Sequence, residues 1–173
     1  DPMKHLAHAL VFVVAATLVS VAPAGANDEP VSQMSGRVTV IKKGELAKFI
    51  GKPASGQSFD LPDAGNDPSV EGAGLHMLDL GNPGGNEMFL SLPPQTAPLG
   101  WKGLGNPAGA NGWKYKGAGT TEDPCKVVLV KTRIVKAVCR GAGITLDPPL
   151  AGDLGVVLTV GTNSKNYCTV FGG

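Results

Sequence analysis

Hydrophobic and polar positions alternate with a period of two over most of the chain after Gly36, in runs of four to seven residues. Successive side chains of a strand point to opposite faces, so this pattern marks strands with one buried side. Residues 37–41 alternate, Lys43-Gly44 makes a turn, and 46–50 follow as a second strand. Residues 51–70 are dense in Gly, Pro, Ser and Asp and read as loop. Residues 74–80 and 87–92 read as a strand pair joined by Gly-Asn-Pro-Gly-Gly-Asn at 81–86. Asn-Pro starts that turn and Gly supplies positive φ. Further short strands are expected at 113–116, 144–146, 154–160 and 167–171. Trp101 and Leu104 precede a second Asn-Pro turn at 105–109.

The clearest hairpin spans 125–139. Folded about Thr132, it sets Cys125 opposite Cys139, Val127 opposite Ala137 and Leu129 opposite Val135. One face is then wholly apolar, and the other mixes Lys126 and Lys136 with Val128, Val130, Ile134 and Val138. Directly opposed residues lie close enough for a disulfide to span. Cys125–Cys139 is therefore the expected bridge. Cys139–Cys168, Cys125–Cys168 and no bridge stay open as alternatives. In all, about nine or ten short strands with turns between them predict an all-β fold, a single β-sandwich of jelly-roll-like or Ig-like topology.

One apolar run breaks the alternation. Met3, Lys4 and His5 precede a stretch from 6 to 21 interrupted only by His8, Thr17 and Ser20, and Ala22-Pro-Ala-Gly-Ala follows. Ala24 and Ala26 supply the small residues a signal peptidase requires, so 3–26 is read as a helical signal peptide cleaved after Ala26. A permanent anchor is disfavoured, since the apolar stretch is short of about 20 clean residues and no basic stop-transfer cluster follows. The expected organisation is signal peptide 3–26, flexible tail 27–35 and β-sandwich domain 36–173. The expected location is secreted or periplasmic, an oxidising setting that favours a disulfide.

Composition adds three points. Gly (25) and Pro (14) together stay below the share that marks disorder. The net charge of +1 argues against a nucleic-acid binder or a membrane-surface binder acting with its whole surface. That charge is unevenly spread: 53–99 hold Asp60, Asp63, Asp67, Glu71, Asp79 and Glu87 with no Lys or Arg, while 100–173 hold nine basic residues against Glu122, Asp123, Asp147 and Asp153. The two stretches either attract each other within the fold or form surfaces with different partners.

Candidate chemistry is sparse. Trp101, Trp113 and Tyr115, with Lys and Asn nearby, could stack on sugar rings or fill a core poor in large residues. Asp60, Asp63 and Asp67 cluster oxygen ligands in a Gly-containing loop, as Ca²⁺ prefers, though without EF-hand spacing. His76 lies within an expected strand, where sequence offers it neither nucleophile nor orienting group. There is no Cys-x-x-Cys, phosphate-binding Gly-Lys-Ser/Thr or Gly-x-Ser-x-Gly.

Gly-Trp-Lys-Gly-Leu-Gly-Asn-Pro-Ala-Gly at 100–109, Gly-Trp-Lys-Tyr-Lys-Gly at 112–117, Cys-Lys-Val-Val-Leu-Val-Lys at 125–131, Lys-Ala-Val-Cys at 136–139 and Tyr-Cys-Thr-Val-Phe-Gly-Gly at 167–173 together resemble a domain of secreted proteobacterial proteins. The resemblance implies export, a bacterial source and a β-domain ending at Gly173. That family has no described activity, so the resemblance transfers no catalytic residue. The expected function is an exported, non-enzymatic binding or structural module with a carbohydrate or a surface as ligand. The alternatives are a secreted hydrolase acting on polysaccharide or peptide, and a Ca²⁺-stabilised extracellular module. Apart from Ca²⁺ no cofactor is expected. A glycan or another extracellular protein is the expected partner, with no nucleic acid and no membrane span after cleavage.

Overall fold

A computed structural model describes residues 28–30, 40–94, 96–161 and 165–172. The proposed signal peptide, most of the tail and the start of the first expected strand lie outside these residues. Two sheets pack as a β-sandwich. Sheet A has the order β1 (Asp28–Pro30), β11 (Lys165–Phe171), β10 (Leu154–Val160), β4 (Ala73–Asp79), β5 (Glu87–Leu92). Sheet B has the order β2 (Val40–Lys42), β3 (Leu46–Gly51), β9 (Ile134–Arg140), β8 (Cys125–Lys131), β7 (Trp113–Lys116), β6 (Gly100–Gly103). All pairings are antiparallel except β1 with β11.

The alternation in sequence becomes an inner and an outer face. Leu75, Met77, Met88, Leu90, Leu92, Val156, Leu158 and Tyr167 of sheet A meet Ala47, Phe49, Trp101, Trp113, Tyr115, Val128, Val130, Val135 and Ala137 of sheet B in one core. Phe59, Ile144 and Leu146 plug that core from loops. Between β3 and β4 the chain makes one 3₁₀ turn (Ala64–Asn66) and a single-turn helix, α1 (Pro68–Glu71), whose N-cap Asp67 accepts from Ser69 N. Among the described residues no helix is long and apolar enough to cross a membrane.

Four expectations need correction. First, 28–30 are not a loose tail, since β1 pairs in parallel with β11. Second, 144–146 show a strand's burial pattern but form no strand. Ile144 offers its carbonyl to Gly44 N and closes a turn onto Gly141, and no neighbouring strand continues the ladder. Third, β6 was not expected: it is Gly-rich, and its ladder with β7 places Trp101 opposite Tyr115.

The fourth correction concerns the hairpin register. Its turn has two residues, Thr132 and Arg133, and Lys131 pairs with Ile134. Val128 therefore faces Ala137 and Val130 faces Val135, one residue off the expected pairing. The shift reverses the faces of β8, because strand side chains alternate. Val128 and Val130 are buried, while Val127 and Leu129 turn toward the outside. A β-bulge between Cys125 and Val127 absorbs the extra residue and returns Cys125 to Cys139. The two cysteines form the disulfide.

Candidate functional site

The three aromatic residues proposed for sugar stacking are buried. Trp101 is 0 %, Trp113 4 % and Tyr115 1 % exposed. Each polar atom is used internally: Trp101 Nε1 donates to Leu92 O at 3.2 Å, Trp113 Nε1 to Pro62 O at 3.3 Å and Tyr115 OH to Asp123 Oδ1 at 2.8 Å. Burial pushes the Tyr115 hydroxyl well above its ordinary range, and the Asp123 hydrogen bond and charge add to this. These residues hold the sandwich and its loops together and leave no ring face for a ligand. The alternation in Trp113-Lys-Tyr-Lys already carried that signal, with the lysines on the other face.

The proposed Ca²⁺ ligands do not converge either. Asp63 Oδ1 accepts from Gly65 N and Asn66 Nδ2, and Asp67 Oδ1 accepts from Ser69 N and Ser69 Oγ. Asp60 is exposed and lies 3.9 Å from Lys165 Nζ. Asn66 Oδ1 is buried without a hydrogen-bond partner, yet the neighbouring carboxylates are committed to their own turns. Among the described residues no three His, Cys, Asp or Glu side chains form a metal-binding group. His76 pairs with Glu87 across β4 and β5, Nε2 to Oε2 at 3.0 Å, beside the edge of the Phe89 ring. Cys168 lies half-buried on β11, outside the disulfide.

A carboxylate that sequence reasoning passed over does structural work. Asp79 is 1 % exposed at the end of β4. It accepts from Ala151 N at 2.7 Å, from Gly81 N and Gly152 N at 2.9 Å each, and more weakly from Asn86 Nδ2. It thereby joins the β4–β5 turn to the loop before β10. The Ala151 amide is the largest influence holding this carboxyl below its ordinary value; Gly81, Gly152 and Asn86 act the same way and burial opposes them. A depressed folded pKa stabilises the protein above the unfolded value, near 3.8, and that stability is lost as pH falls toward the folded value. Asp79→Asn turns an amide donor onto backbone donors, so its Tm at pH 7 is expected to be lower by roughly 5–10 °C. The gap to the parent protein should hold from pH 7 to about pH 5 and narrow as thermal scans pass below the unfolded value near 3.8.

Above this network lies an open cleft of about 440 Å³, lined by Lys43, Asn82, Asn86, Thr145 and Asp147. Its two charges neutralise each other, Lys43 Nζ to Asp147 Oδ2 at 2.6 Å.

The outer face of sheet B is different. Its six strands carry nine Lys or Arg residues and no Asp or Glu. The strands of sheet A carry one basic residue, Lys165, against Asp28, Glu29, Asp79 and Glu87. The ladders of sheet B align these cations in rows. Lys136, Leu129, Lys114 and Lys102 stand side by side on β9, β8, β7 and β6. In the next row Lys48, Val138, Val127 and Lys116 cross β3, β9, β8 and β7. At about 4.8 Å per strand, the first row spans roughly 14 Å. Val127, Leu129 and Val138 are only partly buried, so the lysine stems stand over an aliphatic floor.

Lys42 has Glu45 at 4.0 Å. Among the described residues, Lys48, Lys102, Lys114, Lys116, Lys136 and Arg140 have no carboxylate partner. Gly112 helps to set this face: its φ of 99° leads into β7, and a Cβ there would strike Val130 O. The positive charge of 100–173 was visible in the sequence, but its gathering on one face depends on the register of four ladders.

The fold is thus a two-sheet sandwich with an unneutralised basic face. No protein-family model, curated protein or solved structure matches the chain.

Proposed function

We propose that the protein is an exported, non-enzymatic binding module that holds an acidic polysaccharide on the outer face of sheet B. The observation that carries this reading is the set of nine cations on six strands with no acid among them. A linear polyanion crossing the strands would meet a lysine at most steps and would release the counterions that screen them. Neutral sugars are a poor match, because the aromatic rings of sheet B point inward. The same absence of outward rings disfavours single-stranded nucleic acid, whose bases need stacking platforms. Among the described residues the exposed large hydrophobics are Val70, Leu80, Phe89 and Val170, none of them on sheet B, which disfavours insertion of this face into a bilayer. Export is supported by the leader pattern of 3–26 and by the disulfide, which suits an oxidising compartment. The motif resemblance to secreted proteobacterial domains supports a bacterial source.

The test compares the parent protein with the triple variant Lys102→Glu, Lys114→Glu, Lys136→Glu on immobilised polyuronate, with neutral dextran and single-stranded DNA as controls. Each cation near a polyanionic surface contributes about 1 kcal/mol, so the triple variant should bind about 100-fold more weakly, with a shallower salt dependence. Unchanged binding by the variant, equal binding to dextran, or tighter binding to DNA would each overturn the reading. Circular dichroism checks that the variant is folded.

A further inference from the structure

The edge of sheet A formed by β5 is open. Asp79 N donates to Asn86 O, which sets the phase of the β4–β5 ladder. Met88, Leu90 and Leu92 consequently bond to β4, while the backbone groups of Glu87, Phe89 and Ser91 point away from it. Among the described residues no backbone group bonds to those of Glu87, Phe89 or Ser91 on that side. Their side chains are exposed as well, Phe89 at 68 %. Among the described residues the other sheet edges are shorter: β1 and β2 show three residues and β6 four, against six in β5. Short edges are one device by which proteins prevent unwanted strand pairing, and β5 lacks it.

We propose that β5 is an interface for a second copy of this chain, paired antiparallel about Phe89. In that register Phe89 lies opposite its own symmetry mate, and every outward N–H of 87, 89 and 91 meets an outward C=O. Glu87 lies opposite Ser91, so no like charges face each other. The strand is therefore self-complementary, as a two-fold interface requires. Pro93 and Pro94 follow β5 directly and end the pairing, because proline has no N–H to give. The result is one continuous sheet running through both protomers. Its two-fold axis stands perpendicular to sheet A, so both basic faces turn to the same side.

A single edge contact is small, so the dimer should be reversible at micromolar concentrations. Sedimentation velocity on the full chain, from about 1 to 500 µM, tests this. The parent protein should shift from monomer to dimer across that range. Ser91→Glu places a carboxylate opposite each Glu87, two like-charge pairs per dimer, and should weaken the dimer at least about tenfold. Glu87→Lys combined with Ser91→Glu restores opposite charges and should recover it. Phe89→Cys should give a disulfide-linked dimer under mild oxidation. A parent protein that stays monomeric throughout overturns the proposal. So does a dimer that is indifferent to Ser91→Glu, or one that the double variant fails to rescue. None of these readings depends on polysaccharide binding.

Discussion

Trp101→Ala is expected to cost about 3–5 kcal/mol of folding stability, measured by urea denaturation. Trp101 is fully buried, packs against Tyr115 at a centroid distance of 5.4 Å and crosses the sandwich to Leu92 O. Truncation removes the ring, opens a cavity between the sheets and takes from the Leu92 carbonyl the second of its two donors, leaving only the ladder bond to β4. Trp101→Phe separates these effects. It keeps much of the volume but loses the N–H, and should cost about 1–3 kcal/mol. Acrylamide quenching of the parent protein should be weak, since both indoles are enclosed. A loss below about 1 kcal/mol on Trp101→Ala, together with strong quenching, would put the ring at the surface and revive sugar stacking.

The paired replacement Cys125→Ala with Cys139→Ala is expected to lower stability by about 3 kcal/mol, read from urea denaturation with a somewhat larger m-value, because the unfolded chain expands once the bridge is gone. The bridge closes a loop with a sequence separation of 14 between two buried cysteines. Much of the effect comes from the unfolded chain, which loses freedom when the loop is closed. Part should come from the native hairpin. β8 carries one residue more than β9 between the turn and the bridge, and the disulfide opposes removal of that bulge by a slip of register. A loss below about 1 kcal/mol would mean that core packing alone holds β8 against β9.

The strands bounded by strong turn residues were legible in the sequence. β5, β7 and β10 appear where the alternation places them, because each lies between Gly-rich or Pro-rich segments and has a clean inner row. The disulfide was legible for a related reason: both cysteines fall on the buried row of a hairpin. The register between them was not, because a two-residue turn plus a bulge brings the cysteines together as a one-residue turn would. Ile144 and Leu146 show why alternation alone does not define a strand. Apolar side chains can plug a core from a loop where no ladder forms. The lysine rows were hidden for another reason. Lys102, Lys114 and Lys136 are far apart in the chain, and only the ladders of β6 to β9 align them.

The division of charge between the sheets has a consequence that the net charge of +1 conceals. Glu87 lies on β5, Glu71 lines the cleft beside Gly74 and Thr159, and Asp60 approaches Lys165 on β11. The strands of sheet A thus carry more acid than base while those of sheet B carry cations alone, and although Glu45, Asp123 and Asp147 offset part of this beside sheet B, a nearly neutral molecule carries a dipole between its sheets. Within a Debye length of an anionic surface, about 8–10 Å at physiological salt, the field exerts a torque that turns sheet B forward before contact. The same dipole should align molecules head to tail as salt is removed. Solubility near the isoelectric point of about 7.9 is then expected to rise, not fall, on addition of modest salt.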